Sequence, residues 1–310
     1  MRLANPSYLR RALLPVTPVI LAACLISCAS SDAVAKFALA AAKSLDQGTA
    51  IFDDMPASVL RRDCDANIEN REFDFKPVAE ACITDAAQQT NLDVAGKERD
   101  SLLAVQKVLI DYFTAIQQLA AFGKATGSLD NMKGDASQAA GAAEHLWSTH
   151  KFAAGDEKSA VTGLGQLVVH AFSAGYGNRQ LSRDMAAADK VVPVVTAALT
   201  HIVRTDYMFE PKDPTPHSLL DLEANRMRRA YKDADGGRLL LRISWTERVA
   251  KLLARNSSAQ SYVDALEIIQ SGHHQLAAQS TQLKGQALAS ALQPYISSLE
   301  SLVTKIQKVF

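Results

Sequence analysis

Cysteine, proline, glycine, aromatic residues and net charge are all in short supply in this 310-residue chain. Four cysteines are too few for a disulfide-dense fold, and 15 glycines with 10 prolines exclude a collagen-like or low-complexity chain. Lysine plus arginine number 33, and so do aspartate plus glutamate, so no bulk positive charge is available to hold a nucleic acid. Neither the N-terminal apolar run nor the apolar segment 161–176 reaches the roughly 20 residues of a membrane-spanning helix. What the chain has is aliphatic: 48% of it is apolar and only 6% aromatic, the composition of a folded, alanine-rich helical protein.

The N-terminus carries the clearest pattern. Arg2, Arg10 and Arg11 form a basic region, and Ala12 to Ile26 is apolar apart from Thr17. That length suits a secretory signal better than an anchor helix. Leu25-Ile26-Ser27-Cys28 then resembles the bacterial lipoprotein signal, in which a leucine three residues before the cysteine and small residues beside it direct cleavage just ahead of the cysteine. Leu21-Ala22-Ala23-Cys24 matches the same pattern one turn earlier. Cys28 is the preferred lipidation site and Cys24 the alternative, because cleavage at Cys24 would shorten the apolar region and leave Leu25 and Ile26 at the new terminus.

The resemblance implies residues 1–27 as signal peptide, a palmitate-bearing N-terminus, and attachment through two or three acyl chains, which is effectively permanent. Ala29 stands where an aspartate would favour inner-membrane retention, which implies an outer-membrane protein facing the periplasm. Removing residues 1–27 takes away three arginines and no acids, leaving 30 basic against 33 acidic residues. Such a mildly acidic body has no electrostatic attraction to nucleic acid.

Cys64 and Cys82 remain, and export to an oxidising compartment predicts a disulfide between them, closing the 64–82 loop. Inside it Phe73 and Phe75 alternate with polar residues over Asn67 to Val78, a short strand-like excursion.

Elsewhere the period is helical. Leu102, Val105, Leu109, Tyr112, Ile116 and Leu119 are spaced by threes and fours, as are Leu181, Met185, Ala188, Val192, Val195, Leu199 and Ile202. Tyr262, Leu266, Ile269, His273, Leu276, Ser280, Leu283 and Ala287 continue in kind, before a one-residue phase slip moves the stripe to Leu288, Leu292, Tyr295, Leu299, Leu302, Ile306 and Val309. If helix is continuous across 259–309, it runs for about 75 Å. Breaks are expected at Gly123–Gly134, Lys151–Asp156, the 208–217 Pro-rich connection and Asp235-Gly236-Gly237, kinks near Pro193 and Pro294, and an N-cap at Asn256-Ser257-Ser258. The expected architecture is all-α: residues 28–310 as one elongated antiparallel bundle of long, coiled-coil-like helices with a disulfide-stapled excursion.

No nucleophile elbow, zinc-binding His-Glu-x-x-His, phosphate loop or Cys-x-x-Cys is present. Asp233-Ala234-Asp235-Gly236 is not a calcium loop, because that register places Tyr231 and Arg242 where carboxylates are required. His145 and His150 are five positions apart, which puts them on different helix faces. His273 falls on the seam, where with Ser280 it suggests a polar core layer; the alternative is a metal or ligand site built from His273 with His170 or His201 of another helix. Arg226, Arg228, Arg229, Lys232, Arg238, Arg242 and Arg248 are interspersed with Asp221, Glu223, Asp233, Asp235 and Glu247, a solvated mixed-charge face.

The sequence therefore predicts a lipid-anchored envelope protein with no cofactor and no metal. Its bundle would act as a non-catalytic scaffold, binding or structural module toward another envelope protein. The alternatives are a membrane-inserting protein using the apolar segment 161–176, or a carrier of a small apolar ligand.

Overall fold

The computed structural model describes residues 17–69, 86–150, 156–173, 178–208, 218–233, 238–279, 286–307 and 309. Among them there is no strand. The helices are α1 (Thr17–Glu69), α2 (Ala86–Phe122), α3 (Leu129–His150), α4 (Asp156–Ala171), α5 (Asn178–Ala188), α6 (Val192–Ile202), α7 (Leu219–Asp233), α8 (Arg238–Gln279) and α9 (Gln286–Gln307). A single π-helical segment, Val203–Tyr207, extends α6.

Helix α1 is the centre of the bundle, packed by α2, α7, α8 and α9. Its partner α2 runs antiparallel: Phe37 meets Phe113 edge-on at 6.1 Å, and farther along α1 Thr49 accepts a hydrogen bond from Gln106 at 3.1 Å. Helix α8 is also antiparallel to α1, through two close approaches that only glycine permits. A Cβ on Gly48 would stand 2.1 Å from the Tyr262 ring, and one on Gly272 would stand 2.4 Å from Phe37. Helices α3 and α4 pair on the flank of α2, where Gly165 lies against Ala136. One hydrophobic core runs through nearly all of these helices.

The predicted seams are the core. Leu102, Val105, Leu109, Tyr112, Ile116 and Leu119 are buried, and so are Met185, Ala188, Val192, Val195, Leu199 and Ile202. The second stripe is nonetheless two helices. A turn at Asp189–Val191 separates α5 from α6, and Pro193 sits in the first turn of α6, where its missing N–H costs nothing.

The phase slip at Ala287–Leu288 likewise marks a chain reversal, not a long continuous helix. Helix α8 ends at Gln279 and α9 returns beside it, with Ser258 hydrogen-bonded to the Ile306 carbonyl and Gly272 against Tyr295. Ala287 is consequently exposed, while Leu288 and Leu292 are buried.

Three boundaries differ from the sequence reading. Asn256-Ser257-Ser258 lies mid-way along α8, whose buried Leu252 and Ala259 hold the helix together across it. Gly134 lies inside α3, so the break ends at Ser128. Asn67–Glu69 is the last turn of α1, so any extended excursion starts later. Cys82 and the rest of the 64–82 loop beyond Glu69 lie outside the described residues. So do Ser280, Leu283, Asp235-Gly236-Gly237 and most of the 208–217 connection.

Candidate functional site

Between α1, α7, α8 and the π-helical segment lies a buried ionic network. Arg255 on α8 donates to both oxygens of Glu223 on α7 at 2.8 and 3.1 Å. Arg61 on α1 donates through Nε to the same carboxylate at 3.1 Å and through Nη2 to Asp54 at 2.8 Å. Tyr207 donates its hydroxyl to Asp54 at 2.7 Å, and Ser58 donates to Glu223 at 3.1 Å. Glu223 is 2% exposed and Arg255 8%.

Burial pushes both carboxyls up, opposed by the Arg61 guanidinium beside them. Two carboxylates and two guanidiniums make the ionised set neutral overall, which is the condition under which such charges can be buried at all.

The π-helical segment serves two sites at once. Tyr207 enters the network, and its neighbour Asp206 enters a second cluster with Glu98 of α2 and His150 at the end of α3. Glu98 Oε1 lies 2.8 Å from His150 Nε2, and Asp206 Oδ2 lies 3.1 Å from Nδ1. The imidazole is clasped on both ring nitrogens. Asp206 and then Glu98 push it up to about 9, against the opposing effect of burial.

The cluster borders a cavity of about 350 Å³ lined also by Met55, Val59, Arg62 and Val94. The three side chains are the one group among the described residues with metal-ligand composition, their ligand atoms lying within 4.8 Å of one another. The carboxylates, however, address opposite ring nitrogens, and a single ion binds only one of these. One carboxylate at ion-pair distance from each ring nitrogen suits a protonated imidazolium.

His273 is fully buried on the α8 seam, as its spacing predicts. Tyr112 on α2 lies 2.7 Å from its Nε2, and Asp189 lies 3.6 Å from its Nδ1; His274 pairs with the same Asp189 at 3.0 Å. Burial pushes His273 down to about 4, so it is neutral at pH 7. This is a polar layer tying α8 to α2 and to the α5–α6 turn. The alternative of a site shared with His170 or His201 is not formed: His170 pairs with Asp184, and His201 is exposed.

Of these clusters the sequence points only to His273, and the expected solvated mixed-charge face is corrected at two residues. Asp221, in the first turn of α7, and Glu223 are both buried, at 7% and 2%. A signal was present. Leu220, Glu223 and Met227 are spaced by three and four, as are Leu252, Arg255 and Ala259, and both flanking pairs are buried. The same spacing joins Ala95, Glu98 and Leu102, Ala143, Leu146 and His150, and Leu199, Ile202 and Asp206. A charge at a seam position is a charge aimed at the interior.

Gly165 is a close-packing position within α4, where a Cβ would stand 2.7 Å from Ala136. Arg228 and Arg229 are exposed on α7. The side chains of Cys24, Cys28 and Cys64 fall outside the described residues, although all three positions lie on α1. Compared with family models, curated proteins and solved structures, the chain matches none.

Proposed function

We propose that this chain is a lipid-anchored protein of the bacterial cell envelope, facing the periplasm from the outer membrane, whose helical bundle is a non-catalytic scaffold or binding module. The observation that carries the reading is the order of parts at the N-terminus. A basic segment and a short apolar run lead to Leu25-Ile26-Ser27-Cys28, and buried core residues begin at Ala33 and Val34.

The ionic network supports a non-catalytic role, because its most buried charge, Glu223, is engaged by Arg255, Arg61 and Ser58 within the bundle. The Cys64–Cys82 disulfide belongs to the same proposal, as a staple between the end of α1 and the segment leading into α2.

Apolar ligand carriage is a second reading with an observation behind it. A groove of about 420 Å³ between α3 and α4 is lined by Leu129, Ala136, Ala140, Gly165 and Val169. The membrane-inserting reading of 161–176 has less support, because Val161, Leu164, Val168 and Ala171 are already buried in the bundle. One stretch, Ser182–Tyr207, is long and apolar enough to cross a membrane, with 44% of its apolar window buried.

In-cell crosslinking of the membrane-bound protein, followed by mass identification, tests the scaffold reading. It predicts one dominant envelope protein. Capture of self and lipid alone would contradict it.

A further inference from the structure

Phe122, at 70%, is the most exposed large apolar side chain among the described residues, and nothing in the bundle explains it. It is not on a loose end. Helix α2 stops there because Gly123 takes a φ of 69°, its N–H bonded to the Leu119 carbonyl at 3.0 Å. The loop that follows is pinned to α2, since Gln118 Oε1 accepts from the Thr126 backbone N–H at 2.6 Å. Phe122 is thus presented on a fixed knuckle, with Lys124 exposed beside it.

Register locates the knuckle. Phe37 on α1 packs against Phe113 on the antiparallel α2. Counting nine residues back along α1 reaches Cys28, and counting nine forward along α2 reaches Phe122. Both distances are about 14 Å at 1.5 Å per residue, so the proposed lipidation site and the exposed ring lie at one level of the bundle. Only residues 29–32 separate Cys28 from the buried Ala33, too few to form a tether.

We propose that this end of the bundle lies on the bilayer, with the Phe122 ring in the headgroup–acyl boundary and Lys124 against anionic headgroups. The inference rests on the anchor reading: acyl chains at Cys28 without a tether bring whatever is level with Cys28 to the membrane surface. An aromatic ring with a neighbouring lysine is the side-chain pair that such an interface accommodates. The lipid would then hold the bundle in one orientation, with the ionic network and the His150 cluster directed away from the membrane.

The test uses the lipidated full-length protein in phosphatidylethanolamine–phosphatidylglycerol vesicles with brominated acyl chains, which quench nearby tryptophan. Two variants are compared over the Trp147 and Trp245 background: Phe122→Trp and Leu253→Trp. Leu253 is also exposed, at 53%, but lies beyond Tyr262, which packs on Gly48, and so about 40 Å from the level of Cys28. The expected result is quenching of the added tryptophan several-fold stronger at 122 than at 253.

Equal quenching in a sample whose mass shows acylation would overturn the orientation and leave the anchor standing. A sample with no acyl mass on Cys28 or Cys24 would overturn the anchor and the orientation with it. A tryptophan at 122 that bromolipid leaves untouched, but that native envelopes shield from acrylamide, would assign this face to a protein and overturn the proposal.

Discussion

Arg255 and Glu223 form a two-bond fork at 2.8 and 3.1 Å in the interior of the bundle, joining α8 to α7. Helix α7 leans on this contact, because all three hydrogen-bond partners of Glu223, namely Arg255, Arg61 and Ser58, come from other helices. Arg255→Met leaves the Glu223 carboxylate with Arg61 and Ser58 alone and should cost about 3–5 kcal/mol in urea unfolding. Arg255→Lys should recover only part of the loss, since a single ammonium cannot reproduce the planar fork. Full stability of Arg255→Met would show that the network does not bear on folding.

Glycines at the helix crossings predict effects of opposite sign. Gly48→Ala would place a methyl carbon 2.1 Å from the Tyr262 ring, and displacing that ring should cost about 1–3 kcal/mol. Gly141 lies in α3 with open space around its Cα, so Gly141→Ala should stabilise by about 0.5–1 kcal/mol. Thermal unfolding of the two variants decides whether α1 and α8 approach as closely as described.

His150 and His273 should impose opposite pH dependences. The folded-state pKa of His150 is raised from 6.5 to about 9, so its contribution is complete below about pH 6.5 and is lost as pH rises through about 9. The stability gap between wild type and His150→Gln should therefore close between those limits. His273 is depressed from 6.5 to about 4, so its neutral form stabilises the fold above about pH 6.5, and that contribution fades as pH falls toward 4. Urea titrations of each variant against wild type from pH 4 to pH 10 would measure both trends. A gap for His150 that widens on the alkaline side would contradict the clamp.

Chelation separates the clamp from a metal centre. With one carboxylate at ion-pair distance from each ring nitrogen, Glu98, His150 and Asp206 form a charge clamp that needs no metal, and EDTA should leave the thermal midpoint unchanged. A drop restored by added zinc would reassign the three residues as ligands.

Seam periodicity made much of the fold legible from sequence, because aliphatic residues at threes and fours have one stable place to go. Helix ends were less legible. The Leu288 phase slip was visible, yet a slip alone does not distinguish a supercoil adjustment from a reversal; only the packing of Ser258 near Ile306 shows the latter. The site was least legible. Asp54, Glu223 and Arg255 are far apart in the chain and stand in charge-rich surroundings, so each alone resembles a solvated side chain. Their seam positions are the signal in the sequence, and it competes with the expectation that a charged side chain faces water. His273, an uncharged histidine among leucines, carries no such competing expectation, and it is buried.

The central claim is the anchor, and cell fractionation of cysteine variants tests it most directly. The account predicts that Cys28→Ala moves the body from the membrane to the soluble periplasmic fraction and abolishes palmitate incorporation, while Cys24→Ala does neither. A Cys28→Ala protein that stays in the membrane with its palmitate label would contradict it.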